Sequence, residues 1–427
     1  MSSPLPLALA LQRMDELTNW EQRPRGDMRV GLSAIEDLAD RLGNPHRGYP
    51  IVHVTGTKGK GSTCALIEAG LLRAGLSVGR YGSPHVHRVN ERISLNGATI
   101  DNTTLGVALN AALRAHSAAV EDGTLGRHAT WFDLMTIAAY LTFAQSCIDV
   151  AVVETGLGGR LDSTNIARAD VAVITNVHLE HTEVLGNTRS AIAFEKAGII
   201  KPASVVVTTL ASDDEAGSIV HARAHSLGCR LFLAEVDAGQ TIADRNRSVA
   251  CTTLDALGSA LPRLSVGGWL IDKDTANSVR LPGRLEAFTE RFRARDRLTS
   301  VPVIVDGAHV PFNLAAVLQD LQVRPECSTR PVVVISIASD KDADGLLATL
   351  AVICPTLVVG TIVNRSSRPL SDLQGICAEL NISFVAQENP QAAYQKAVEA
   401  AAELNSWVLV TGSLHLAGAL QSPYRSN

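Results

Sequence analysis

The chain has 427 residues, 46 % hydrophobic and 19 % charged, with a formal net charge of −5. That composition excludes a disordered chain, and the length calls for two domains rather than one core. A pI near 6.2 without a Lys/Arg stripe argues against a nucleic-acid surface, and every apolar run breaks well short of the ~18 residues of a membrane span.

Seven scattered cysteines without a CxxC pair read as reduced thiols, and the first thirteen residues show no basic leader, which together predict a cytoplasmic protein. In chain order, residues 51–54 read as a buried strand, followed by a glycine-rich turn and a helix over 62–74. Further Val-rich strands are predicted at 150–153, 171–174 and 204–207, and then at 302–305, 331–335, 356–359 and 407–410, with a helix at 313–321. This alternation predicts an α/β protein with a mostly parallel, doubly wound sheet. Around 280–300 a Pro-Gly pair, Pro282-Gly283, precedes a charged stretch from Arg291 to Arg297. It reads as a junction between a large domain, 1–288, and a smaller Rossmann-like α/β domain, 297–427.

The first turn, Gly56-Thr57-Lys58-Gly59-Lys60-Gly61-Ser62, follows a strand and opens a helix. Its glycines let backbone N–H groups turn toward a phosphate, and the helix N-terminus adds partial positive charge. Lys60 can then reach the β/γ-phosphates, and a hydroxyl at Ser62 or Thr63 can meet phosphate or Mg²⁺. The common GxxxxGK[ST] pattern is not met, because Gly61 follows Lys60.

Glu154 ends an apolar strand, where an unpaired buried carboxylate is costly and open α/β sheets place ligand-binding groups. By the residues alone His181 reads equally well as an exposed loop histidine, Ser83 as a turn residue before Pro84, and Lys196 as a surface lysine paired with a nearby glutamate. Thr130-Trp131-Phe132-Asp133 reads singly as a helix start and Leu161-Asp162-Ser163 as a turn. Together they offer rings for a flat heterocycle and a carboxylate for its N–H groups.

The order of these motifs resembles the Mur ligase superfamily. It is most similar to the dihydrofolate synthase/folylpolyglutamate synthase branch. The likeness runs from the glycine-rich turn through Gly82-Ser83-Pro84-His85 and Glu154-Thr155-Gly156-Leu157-Gly158-Gly159-Arg160-Leu161-Asp162-Ser163-Thr164-Asn165 to Glu195-Lys196-Ala197-Gly198-Ile199. It continues in Pro282-Gly283-Arg284, Asp306-Gly307-Ala308-His309, Asp340-Lys341-Asp342 and Thr411-Gly412-Ser413-Leu414. Only 55 residues precede Gly56, as in the folate branch, which lacks the leading domain of the peptidoglycan ligases.

The resemblance implies a P-loop ATPase domain followed by a smaller α/β domain. It implies an ATP-dependent ligase joining L-glutamate to dihydropteroate, to (tetrahydro)folate, or to both, through an acyl phosphate. ATP would lie on residues 56–62 with Asn246, Arg284, Asp306 and His309. A pair of Mg²⁺ ions would be held by Ser83, Glu154, His181 and a carbamylated Lys196, with Lys60, His181 and Lys196 catalytic. Thr130, Trp131, Phe132, Asp133, Leu161, Asp162 and Ser163 would form the pterin pocket, in a monomeric enzyme. A Mur-type amide ligase acting on another acid or amine is the alternative. Four positions depart from the branch: Lys58 for Asn, Glu180 for Asp, Asp133 for Glu, and Val310 inside the DGAHNP run.

Overall fold

The computed structural model describes residues 5–21, 28, 31–237, 239–294 and 297–420. The chain forms two compact units, Met1–Val279 and Arg280–Asn427.

The first unit is built on eight strands: β1 (Ile51–Thr55), β2 (Val78–Tyr81), β3 (Ile93–Leu95), β4 (Ala98–Thr99), β5 (Val150–Glu154), β6 (Val171–Ile174), β7 (Val205–Thr208) and β8 (Leu231–Leu233). Their spatial order is β4-β3-β2-β5-β1-β6-β7-β8. From β2 to β8 neighbours run parallel, and β3 and β4 add an antiparallel edge. Strands covered on both faces must be largely apolar on both, which is why β1, β5, β6 and β7 are rich in Val, Ile and Ala. Val52, Val54, Val152, Val173 and Val207 pack on one face with the helices Lys60–Arg73 and Ile242–Ala260. Ile51, Ala151 and Val153 pack on the other with Asn102–Asp122 and Trp131–Gln145. Each fully buried Val contributes about 1.5–3 kcal/mol, so the sheet's centre is the rigid part of the unit.

The second unit has six strands: β9 (Glu286–Ala294), β10 (Arg297–Val305), β11 (Val332–Ile335), β12 (Leu357–Thr361), β13 (Phe384–Gln387) and β14 (Val408–Thr411), ordered β13-β12-β11-β14-β10-β9. All neighbours are parallel except β9, which runs antiparallel along β10.

The strands expected at 51–54, 150–153, 171–174, 204–207, 302–305, 331–335, 356–359 and 407–410 all form. The junction differs. The second unit starts at Arg280, and most of the stretch expected to separate the domains is β9, hydrogen-bonded to β10 from Glu286 opposite Val305 onward. β9 is an edge strand, where charge such as Arg291 blocks pairing with another chain, so it lacks the apolar run that marks a central strand. Arg295 and Asp296, part of that charged stretch, lie outside the described residues. No helix among the described residues is long and apolar enough to cross a membrane.

Candidate active site

Four adjacent parallel strands, in spatial order β2-β5-β1-β6, end on one edge of the first sheet. The segments that leave those ends carry Ser83, Glu154, the glycine-rich turn and His181. Open α/β sheets bind ligands in this position.

The turn after β1 keeps its shape through specific contacts. Gly56 has φ 155°, and a Cβ there would stand 1.8 Å from Thr175 Oγ1, so no other residue fits. Gly59, φ 82°, is the N-cap of Lys60–Arg73, and a Cβ there would meet Asn246 Oδ1 at 2.5 Å. Asn246, expected at the nucleotide, is therefore beside the turn. Thr57 N–H donates to Asn176 O at 3.0 Å and Lys58 N–H to Asn176 Oδ1 at 2.9 Å. Lys58 O in turn accepts from Thr175 Oγ1 (2.7 Å) and Asn176 Nδ2 (2.9 Å). Lys60 Nζ folds back over the turn and donates to Gly56 O at 3.0 Å, which puts a cation at the mouth of a backbone cradle opening a 14-residue helix.

Glu154, 6 % exposed, accepts from Ser83 N–H at 3.3 Å through Oε2. The same oxygen is 3.3 Å from where a Cβ on Gly61 would be, so the carboxylate faces the first turn of the helix. His181 takes a left-handed conformation, φ 55°, and N-caps the short helix Thr182–Leu185. Its neighbour Glu180 pairs with Lys58, Oε1 to Nζ 2.7 Å, so two of the four departures from the branch pattern are partners. Lys196, in Arg189–Ala197, is only 4 % exposed. Burial pushes its ammonium down to about 7 and the charge of Lys60 adds to the push, while Glu180 and Asp162 oppose it.

No three His, Cys, Asp or Glu side chains among the described residues gather to form a metal site by themselves. The donors present still suit Mg²⁺, which keeps several waters and takes one or two carboxylates plus phosphate oxygens. A buried carboxylate with a serine beside it, facing a phosphate-binding helix start, is such a set.

The residues expected to line an acid pocket also come together. Thr130 and Asp133 form a capping box at the start of Trp131–Gln145, with Thr130 N–H to Asp133 Oδ2 at 2.7 Å. Ser163 Oγ donates to Asp133 Oδ1 at 2.5 Å. Asp162 accepts from Leu157 N–H (2.7 Å), Thr164 N–H (3.1 Å) and Thr164 Oγ1 (2.5 Å). Burial pushes the carboxyls of both Asp133 and Asp162 up. Phe132 is half-buried against the Gly156 turn and Leu161 is half-buried beside Asp162.

Trp131 departs from expectation as a stacking surface. It is 4 % exposed, with the Arg92 guanidinium 4.7 Å above its ring, so it is a core residue, whereas Phe132 is half-buried. Arg92 was given no role from the sequence. Its buried guanidinium pairs with Glu21, 71 residues away, and its Nε donates to His85 Nδ1 at 2.9 Å.

In the second unit, Asp306 ends the apolar run of β10 and accepts from Leu285 N–H (2.8 Å) and Ala308 N–H (2.9 Å). Gly307 N–H donates to Gly283 O at 2.9 Å, and His309 Nδ1–H to Gly307 O at 2.8 Å. Exposed Arg284, buried Asp306 and half-buried His309 thus share one loop cluster.

Residues 54–256 match the Mur ligase middle domain and residues 289–414 match the Mur ligase glutamate ligase domain. The dihydrofolate synthase/folylpolyglutamate synthase of Bacillus subtilis is 31 % identical over 417 residues, spanning 91 % of this chain and 93 % of its own. The chain belongs to the dihydrofolate synthase/folylpolyglutamate synthase family of Mur ligases. Solved structures agree across both units of this Mur ligase. Mycobacterium tuberculosis folylpolyglutamate synthase complexed with ADP gives a TM-score of 0.81 at 26 % identity, covering 97 % of both chains. The bifunctional folylpolyglutamate synthase/dihydrofolate synthase of Yersinia pestis, complexed with AMPPNP and Mn ion, gives 0.75 at 27 %, covering 98 % of both.

Proposed function

We propose that this Mur ligase uses ATP to join L-glutamate to dihydropteroate, to (tetrahydro)folate, or to both. The carrying observation is the convergence of the phosphate turn, Ser83 beside Glu154, and the His181 turn on the ends of four adjacent strands. A carboxylate oxygen is a poor leaving group until it is phosphorylated. Its attack on the γ-phosphorus of ATP releases ADP and gives an acyl phosphate. The glutamate amine then attacks the carbonyl carbon, loses a proton and expels phosphate.

This chemistry needs positioning and charge neutralisation above all. Residues 56–62 with Asn246 hold the phosphates, Lys60 neutralises the transferring phosphoryl, and Ser83, Glu154, His181 and Lys196 hold the metal. Mg²⁺, when bound, supplies Lewis-acid stabilisation of the phosphate oxygens. Lys196 has the burial that favours a neutral amine, the form that combines with CO₂, and a carbamate offers the oxygen a hard cation prefers. Phe132, Leu161 and Asp162 contact the acid, with Thr130, Asp133 and Ser163 fixing the pocket wall. Arg284, Asp306 and His309 serve the nucleotide and amine side from the second unit. All seven cysteines are free, which fits a reducing cytoplasm.

A panel of dihydropteroate, tetrahydrofolate and unrelated acids, each with and without glutamate, tests the reading by ADP release. Release should require glutamate and a pterin acid together. Turnover confined to an unrelated acid or another amine would replace the substrate with that of a different Mur-type amide ligase.

A further inference from the structure

The strand that carries the phosphate turn also reaches the acid pocket through the face opposite Val52 and Val54. Alternation along β1 sends Ile51, His53 and Thr55 to that face. Thr55 Oγ1 donates to Gly158 O at 2.5 Å. His53 is fully buried, with Nε2 2.8 Å from Thr164 Oγ1. Thr164 Oγ1 is in turn the 2.5 Å partner of Asp162 Oδ1.

Donor accounting fixes the direction of this chain. Both Asp162 oxygens receive backbone N–H groups, Oδ2 from Leu157 and Oδ1 from Thr164, so both act as acceptors. The single hydroxyl proton of Thr164 therefore points at Asp162. Its oxygen must then accept, and the donor is His53 Nε2–H. The neutral tautomer that follows leaves Nδ1 bare, and Nδ1 is the ring atom that meets no partner. Burial keeps the ring neutral by pushing it down to about 3. A buried, half-satisfied histidine is an unfavourable choice inside a Val/Ile strand unless its other nitrogen has a task.

We propose that His53 is a positioning residue for the acid substrate: through Thr164 it pins Asp162 Oδ1 and so aims Asp162 Oδ2 at the ligand. A carboxylate has about four lone-pair directions, and the protein bonds to Asp162 leave about one of them, on Oδ2, for an N–H or amino group of a flat heterocycle. This rests on the pterin-acid reading above and assigns a residue outside the pocket to substrate affinity.

The full chain with His53→Val, His53→Gln or Thr164→Val tests it, with KM measured separately for the acid and for ATP. Both Val variants should raise the acid KM about tenfold, as for the loss of one hydrogen bond, and leave the ATP KM within about twofold. Gln, which keeps an N–H donor at similar reach, should restore the acid KM to within about threefold of wild type. An unchanged acid KM, an ATP KM rising in parallel, or a Gln variant no better than Val would overturn the proposal. Should a Val variant fail to fold, the ¹⁵N-histidine spectrum of the wild type decides independently. Neutral Nε2–H at pH 7 supports the relay, and Nδ1–H or a charged ring overturns it. A wild type that turns over no pterin acid would instead remove the proposed substrate, and the tautomer would still decide the relay.

Discussion

Lys60 and Lys196 are lysines of the same site that the fold treats in opposite ways. Lys60 is half-buried and its Nζ rests on Gly56 O, a contact easily exchanged for phosphate. Lys60→Ala should therefore lower kcat by about 10²–10³, or roughly 3–4 kcal/mol of transition-state stabilisation, with little change in unfolding temperature. Wild-type turnover in that variant would remove the phosphate role. Lys196 is buried beside that charge, an arrangement a plain ammonium does not favour. As a carbamate it is indispensable, so Lys196→Ala should be nearly inactive and partly restored by a short carboxylic acid in the buffer. Full activity of the variant would return Lys196 to an ordinary structural role. From sequence, Glu154 and the Gly/Lys turn were legible because each directly follows a buried strand. The Lys58–Glu180 and His53–Thr164 partnerships were not, because the partners come from different crossovers, 122 and 111 residues apart.

Elements with strong apolar periodicity were read well, and those at edges were not. β8 and β13 are short edge strands, and β9 carries charge where a central strand carries Val. The helix Pro311–Gln322 shows how a departure from the branch pattern acts at this scale. Val310 occupies its N-cap and makes no side-chain cap bond, where Asn is among the preferred residues. Val310→Asn should stabilise the second unit by about 1 kcal/mol, raising the unfolding temperature of its transition by about 2–4 °C in calorimetry. A lower temperature would mean that Val310 packs more than it fails to cap.

At the scale of the whole molecule, the two-unit α/β plan was legible because strand rhythm restarts after 300, while the boundary falls at Val279–Arg280, ahead of the charged strand β9 that was read as the junction. The plan divides the labour. In the proposed reading the first unit holds the phosphates, the metal and the acid, and the second carries the Arg284–Asp306–His309 cluster. What unites these parts is the claim that the acid's own carboxylate oxygen leaves on phosphate. Dihydropteroate or tetrahydrofolate labelled with ¹⁸O in the reacting carboxylate, incubated with the full chain, ATP, Mg²⁺ and L-glutamate, tests that claim by mass spectrometry of both products. The account predicts an acid extended by one glutamyl residue and inorganic phosphate carrying one ¹⁸O. Label appearing in AMP, or extended product formed with unlabelled phosphate, would contradict it.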